Sequence, residues 1–335
     1  MKSRSIYILV SLLCVMVLSA FKSDKTITVF MIGDSTMANK PFNNGNLERG
    51  WGMVLSGFFT ENVKVDNHAL NGRSSKSFID EGHWQDVIDK VRPGDYVFIQ
   101  FGHNDEKPKA DRHTDPGTTF DANLRRFCQE TIAKGGHPVL FNSIVRRNFY
   151  DNKNAVTDDD IHKDKQPDVV EHDSLIDAHG AYLYSPRNVA AELGVPFIDA
   201  NKITHDLVQR MGAENSKRLY MWVEPGVSSA CPKGRQDNTH LNISGARKVA
   251  GLIIDEVAKK IPSLGKYVRH YDLVVAKDGS GDYFDVQQAV NSVADGVSTT
   301  IMVRSGSYPQ PVVSKNKRIK FILLSDVKYT DLSNK

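Results

Sequence analysis

Between residues 26 and 261, apolar runs of strand length alternate with longer segments of helical period. Runs at 27–32, 63–67, 96–101, 138–143 and 196–198 are predicted strands, and 76–91, 119–134, 182–193 and 243–260 are predicted helices. In the last helix Ala246, Val249, Ala250, Ile253 and Val257 recur on one face, with Asn242 or Ser244 as its cap, the spacing of a helix that buries a single stripe. Strands separated by crossover-length helical segments specify an α/β architecture, a parallel sheet covered by helices on both faces.

Two stretches depart from that rhythm. Residues 148–173 are rich in Asp, Lys and Asn and poor in apolar side chains, which predicts an exposed insertion and a candidate border for a substrate. After Ile261, Pro262, Ser263 and Gly265 end the last helix and set a domain boundary. The tail beyond Leu273 holds a glycine-rich turn, a short helical pattern and strand-like runs at 300–304 and 319–324.

The first residues form a third type of segment. Lys2 and Arg4 precede an apolar run at 6–17, and Ser19 and Ala20 follow, the pattern of a signal peptide. The run is shorter than the ~20 residues needed to cross a bilayer, so the mature chain is expected to be secreted or periplasmic, without a membrane span. Leu13 before Cys14 is not the small residue of a lipid attachment site. The expected division is therefore a leader at 1–20, a first domain at 24–265 and a tail at 271–335.

Bulk properties narrow the picture further. The 335 residues suffice for about two domains. A formal charge of +3 falls to +1 once Lys2 and Arg4 are removed, which gives no footprint for nucleic acid. Cys128 and Cys231 are far apart in sequence and are expected as separate thiols.

Candidate chemistry lies at the ends of the predicted strands. The first strand runs into Gly33-Asp34-Ser35-Thr36, placing a serine at the carboxyl edge of the sheet, where open α/β folds bind ligands. Alone, that tetrapeptide is equally a turn or helix cap. Complementary blocks follow: Asn71-Gly72-Arg73-Ser74-Ser75 after the second strand, Gly102-His103-Asn104-Asp105 after the third, and Asp237-Asn238-Thr239-His240 before the last helix. A serine hydroxyl needs a base, which His240 can supply, and Asp237 can fix the ring tautomer and stabilise the imidazolium. A short loop is expected to hold both. His103, Asp105 and His240 lack the clear ligand spacing of a zinc site, so no metal and no cofactor is expected. His68, His83 and His205 are expected as structural or surface residues.

In these four blocks the chain resembles the SGNH, or GDSL, hydrolase family. The resemblance implies a three-layer α/β/α, flavodoxin-like fold with a parallel sheet. It implies Ser35 as nucleophile, Asp237 and His240 as its partners, and an oxyanion hole of the Ser35 and Gly72 amides and the Asn104 side chain. Glycine at 72 would let the backbone approach closely. Within the family, Arg49-Gly50-Trp51-Gly52, the run at 71–78, Phe101-Gly102-His103-Asn104-Asp105 and Asp237-Asn238-Thr239-His240-Leu241 are similar to rhamnogalacturonan acetylesterases. That likeness implies an acetylated pectic polysaccharide or oligosaccharide as substrate, acted on by a monomer. Asp34, Arg73, Lys76, His103, Trp51 and Trp222 are candidate substrate contacts. Arg73 and Lys76 would meet uronate carboxylates and the tryptophans would stack on sugars, against the plainer roles of ion pair, solvated lysine and core indole. An acetylxylan esterase, a lipase or thioesterase, and a noncatalytic pectin-binding module are the competing possibilities.

The tail has its own resemblance. Residues 274–283 and Val286-Gln287-Gln288-Ala289-Val290 look like the opening of a pectin methylesterase. That implies the incomplete start of a right-handed parallel β-helix, catalytically inert and poorly stabilised by itself, since solenoids need several stacked repeats.

Overall fold

The computed structural model describes residues 26–149, 173–176 and 179–330. The leader at 1–20 and most of the expected insertion lie outside these residues. The first residues of that insertion, Asn148 and Phe149, are buried rather than exposed, at 3% and 1%.

Five strands form one parallel sheet: β1 (Ile27–Gly33), β2 (Val63–Asn67), β3 (Tyr96–Gln100), β4 (His137–Phe141) and β5 (Phe197–Ile198). Their order is β2-β1-β3-β4-β5. The strand period of two sorts their side chains between two cores. Val29, Met31, Phe98, Val139 and Phe141 face one, and Phe30, Ile32, Val97, Ile99 and Leu140 face the other.

The second core is closed by α1 (Ser75–Asp80), α2 (His83–Ile88), α3 (Thr119–Ala133) and α4 (Ser185–Leu193), which contribute Phe78, Trp84, Val87, Leu124, Phe127 and Val189. The first is closed by α5 (Ala200–Ser216) and, after β6 (Tyr220–Val223) and β7 (Arg235–Leu241), by α6 (Ile243–Lys260). All five residues of the predicted α6 stripe are buried, and Asn242 is the cap, accepting from the Gly245 amide. The result is a three-layer α/β/α domain.

The structure corrects several sequence-based boundaries. The helix predicted at 76–91 is two helices, because Gly82 sits at φ +82°, a left-handed conformation that breaks the helical path and that glycine adopts without penalty. Helix α5 was not predicted. It starts where the Asp199 carboxylate accepts from the Lys202 amide, and buries Thr204, Leu207 and Val208. The antiparallel β6–β7 pair was also not predicted. Cys128 and Cys231 are both free; burial pushes the Cys128 thiol up to about 12. Among the described residues no helix is long and apolar enough to cross a membrane.

After the short α7 (Pro262–Gly265), the tail forms β8 (Leu273–Val275), α8 (Val286–Ser292), β9 (Ser298–Val303), β10 (Gly306–Pro309), β11 (Arg318–Leu323) and β12 (Val327–Thr330). Two parallel ladders result, β11-β9-β8 and β10-β12. Leu273 pairs with Ile301, Ser298 with Arg318 and Gly306 with Val327, so paired positions are 28, 20 and 21 residues apart along the chain.

The tail packs on the first domain. Arg49 Nε donates to Gly279 O at 3.0 Å, Arg304 Nη1 to Ser56 O at 2.7 Å, and Arg247 pairs with Asp282 at 3.1 Å. Phe42 and Phe284 meet with ring centroids 5.3 Å apart.

Candidate active site

Ser35 is the second residue past the end of β1, in a turn where Asp34 O accepts from the Met37 and Ala38 amides. The Asp34 carboxylate stabilises the same turn, taking hydrogen bonds from Thr36 N at 2.9 Å and Thr36 Oγ1 at 2.7 Å. Among the described residues its second oxygen has no hydrogen-bond partner, and burial raises its pKa against those hydrogen bonds.

Ser35 Oγ lies 2.9 Å from His240 Nε2, and His240 Nδ1 lies 2.8 Å from Asp237 Oδ2. In the neutral ring, Nδ1–H donates to the carboxylate and Nε2 accepts the serine proton. Burial alone would lower His240, but the Asp237 and Glu48 charges outweigh it and raise its pKa. Burial alone would raise Asp237, yet the His240 ring and the Arg235 guanidinium hold it well below the carboxylate range.

Asp237 and His240 sit on β7, not on the short loop expected from sequence. Three residues apart, they would face opposite sides of a regular strand. The ladder is irregular there: Trp222 pairs with Gln236 and Tyr220 with Leu241, so the intervening segment of β7 bulges. Asp237 Oδ1 closes the bulge by accepting from the Thr239 and His240 amides at 2.7 and 2.9 Å.

The other two blocks meet through Asp105. Its carboxylate accepts from Ser75 N, Ser75 Oγ, Thr114 Oγ1 and Gly102 N, tying the turn after β3 to the start of α1. Burial raises its pKa to about 7 despite these bonds. Gly72 has φ +74°, and an added Cβ would meet only Arg112 Nη1 at 4.0 Å. Glycine suits that left-handed backbone conformation. Asn104 Nδ2 donates to Arg73 O at 3.1 Å and keeps a second N–H. Among the described residues, the Ser35 and Gly72 amides have no protein acceptor.

The candidate substrate contacts divide sharply. Trp51 is fully buried, with Nε1 donating to Gln100 Oε1 at 2.8 Å, so it is a core residue and not a sugar platform. Through Gln100 and Thr36 it steadies the serine turn. Trp222 is half-buried: Arg147 and Lys217 lie over its ring at 5.0 and 4.5 Å, and its N–H reaches Asn238. Arg73 is paired with Glu81 at 2.8 Å, and Lys76 Nζ donates to Ala110 O. His103 is buried, and among the described residues neither ring nitrogen has a hydrogen-bond partner. With Glu106 and His179 it forms a cluster of metal-ligand type, but Glu106 is also paired with Arg146 at 2.9 Å. His68, His83 and His205 each pair with a nearby acid on their own segment.

Sequence reasoning missed Arg235, Glu48 and Lys40. Arg235 Nη2 donates to Asp237 Oδ2, Arg235 Nη1 pairs with Glu48 Oε2 at 2.6 Å, and Lys40 Nζ pairs with Glu48 Oε1 at 2.6 Å. The signal for Arg235 was its place two residues before Asp237, on the same side of a strand. Arg235 also lines a groove of about 590 Å³ with Lys217, Arg218, Trp222, Lys233 and Glu224.

A parallel α/β sheet with a serine at its carboxyl edge, hydrogen-bonded to a histidine and aspartate supplied by the separate β6–β7 pair, has the layout of a serine hydrolase. Residues 31–248 match the GDSL-like lipase/acylhydrolase family, and the chain belongs to that family. The chain is 38% identical to the rhamnogalacturonan acetylesterase RhgT of Bacillus subtilis over 255 residues, 76% of this chain and 97% of that protein. It is 31% identical to the probable rhamnogalacturonan acetylesterase YesY of the same organism, over 71% of this chain and 93% of the relative. The crystal structure of the Bacillus subtilis protein YxiM shares the fold, with a TM-score of 0.55 and 23% identity over 70% of this chain; the chain spans 56% of that structure.

Proposed function

We propose that this carboxylic ester hydrolase is a carbohydrate O-acetylesterase that removes acetyl groups from the rhamnogalacturonan of pectin. The observation that carries the chemistry is the Ser35–His240–Asp237 chain of contacts at 2.9 and 2.8 Å. The substrate class rests on the 38% identity to RhgT over nearly all of that relative.

Ser35 Oγ attacks the acetyl carbonyl carbon while its proton passes to His240 Nε2, and the carbonyl electron pair moves onto oxygen. The Ser35 and Gly72 amides and the Asn104 amide group receive that oxyanion, each such donor being worth about 3 to 4 kcal/mol in the transition state. Collapse expels the sugar oxygen, which takes the proton from His240 and leaves acetyl-Ser35. Water, deprotonated by His240, then releases acetate and restores the serine. The groove lined by Arg235, Lys217, Arg218 and Lys233 offers a cationic surface for uronate carboxylates.

Acetate release from acetylated rhamnogalacturonan, pectin and xylan oligosaccharides tests the substrate. Fastest release from rhamnogalacturonan is expected; preference for xylan would reassign the substrate. We further propose that the leader pattern at 1–20 directs export and that 271–335 is a pectin methylesterase-like opening of a right-handed β-helix. The repeated return of the chain to parallel ladders, after 28 residues from β8 to β9 and after 20 or 21 residues in the later pairs, supports the second point.

A further inference from the structure

Four charges of alternating sign form a line that starts at the aspartate of the site: Asp237, Arg235, Glu48 and Lys40. Their side chains are only 7%, 14%, 12% and 2% exposed, so water screens them weakly. The line does not end at Lys40. Its Nζ also donates to Asn71 Oδ1 at 2.6 Å, and Asn71 precedes Gly72. A single network therefore runs from the hydroxyl of Ser35 through its base and acid to the loop that carries the oxyanion glycine.

Arg235 beside Asp237 creates an electrostatic problem. Its Nη2 is 3.4 Å from His240 Nδ1, and a cation there opposes the imidazolium that catalysis must form. Glu48 lies on the far side of Arg235 and offsets that charge. Its own position is fixed: Glu48 bridges to Asn242 next to the end of β7, its amide donates to Asn46 Oδ1, and Arg49 N donates to Leu241 O. Attraction to His240, Lys40 and Arg235 holds its carboxyl at about 2 in spite of burial, so it is ionised whenever the enzyme works. Among the described residues, Asp34 just after β1 and His103 after β3 also face His240.

We propose that Glu48 and Arg235 are positioning residues of the esterase: Arg235 clamps Asp237, Glu48 holds Arg235 and offsets its charge at His240, and Lys40 joins this arm to the Asn71–Gly72 loop. The proposal rests on Ser35 and His240 being nucleophile and base. None of the three outer residues touches the reacting atoms; they act through Asp237, His240 and the loop.

The test is the pH profile of kcat/KM on a chromogenic acetate, whose acid limb reports ionisation of the base in free enzyme. The base works when neutral, so the wild-type limb is expected above the ordinary histidine value, with activity lost as pH falls through it. Glu48→Gln removes a charge that favours imidazolium and should move the limb to lower pH while cutting kcat about 10-fold. Arg235→Gln should move it to higher pH, and the double variant should return it close to wild type. Glu48→Asp keeps the charge and should keep the limb. A merely structural role would lower activity or melting temperature without opposite displacements. If Glu48→Gln fails to fold, Lys40→Gln, which leaves Glu48 without its outer partner, should shift the limb upward. Unmoved limbs, or limbs moving together in Glu48→Gln and Arg235→Gln, would overturn the inference. Ser35→Ala is the control: if it retains turnover the esterase mechanism itself fails, whereas an inactive Ser35→Ala with unmoved limbs defeats only the present proposal.

Discussion

The first domain and the tail solve the same problem, burying parallel strands, at very different depth. Sheet β1–β5 is covered on both faces by two large cores, and can therefore hold Asp34, His103, Asp105, Asp237 and His240 almost free of solvent at one edge. The tail closes a single small core of Val275, Val286, Ala289, Val290, Val293, Ile301, Val303 and Tyr308, and β11 keeps much of its surface exposed. What it lacks in depth it makes up at the interface, where Arg49, Arg247 and Arg304 reach across. The contrast teaches that buried charge chemistry needs a core deep enough to exclude water, and that a shallow repeat is held by its neighbour.

Substitutions in the two regions should separate accordingly. Ser35→Ala should lower turnover of acetate esters by at least about 10⁴-fold with an unchanged unfolding temperature; a smaller loss would place the nucleophile elsewhere. Gly279→Val strains a φ of +79° and drives a Cβ to 2.7 Å from Phe42 and 2.9 Å from Met53. It should cost about 2 kcal/mol and speed proteolysis of the tail while the first domain stays resistant. Equal protection of both regions in that variant would mean that docking does not support the tail. Lys320→Ala, exposed on β11, should change chemical denaturation by less than about 0.5 kcal/mol.

How much of this was legible in sequence follows from the same contrast. Strands β1 to β4 and helix α6 carry apolar runs or stripes that only burial explains, and they were read close to their limits. Helix α5 was not, because its buried stripe is diluted by Thr204 and its other apolar positions are interrupted by polar residues. Strand β7 was hidden for a sharper reason: four of its five buried residues are Asp237, Asn238, Thr239 and His240, with only Leu241 apolar, so the polar run masks the apolar signal. The meeting of Ser35, His240 and Asp237 was legible because the chemistry expected of each needs a particular side chain. Glu48 was not, since its bond to Arg235 spans 187 residues and exists only after folding. Trp51 misled because its indole partner, Gln100, lies across the sheet.

The central claim is that the fold brings one hydroxyl, one imidazole and one carboxylate into a working line. Reaction with a serine-directed phosphonate followed by peptide mass spectrometry tests it most directly. Stoichiometric label on Ser35, abolished in His240→Ala protein that still folds, is the predicted result. Label on another residue, or undiminished labelling of Ser35 in His240→Ala, would contradict it.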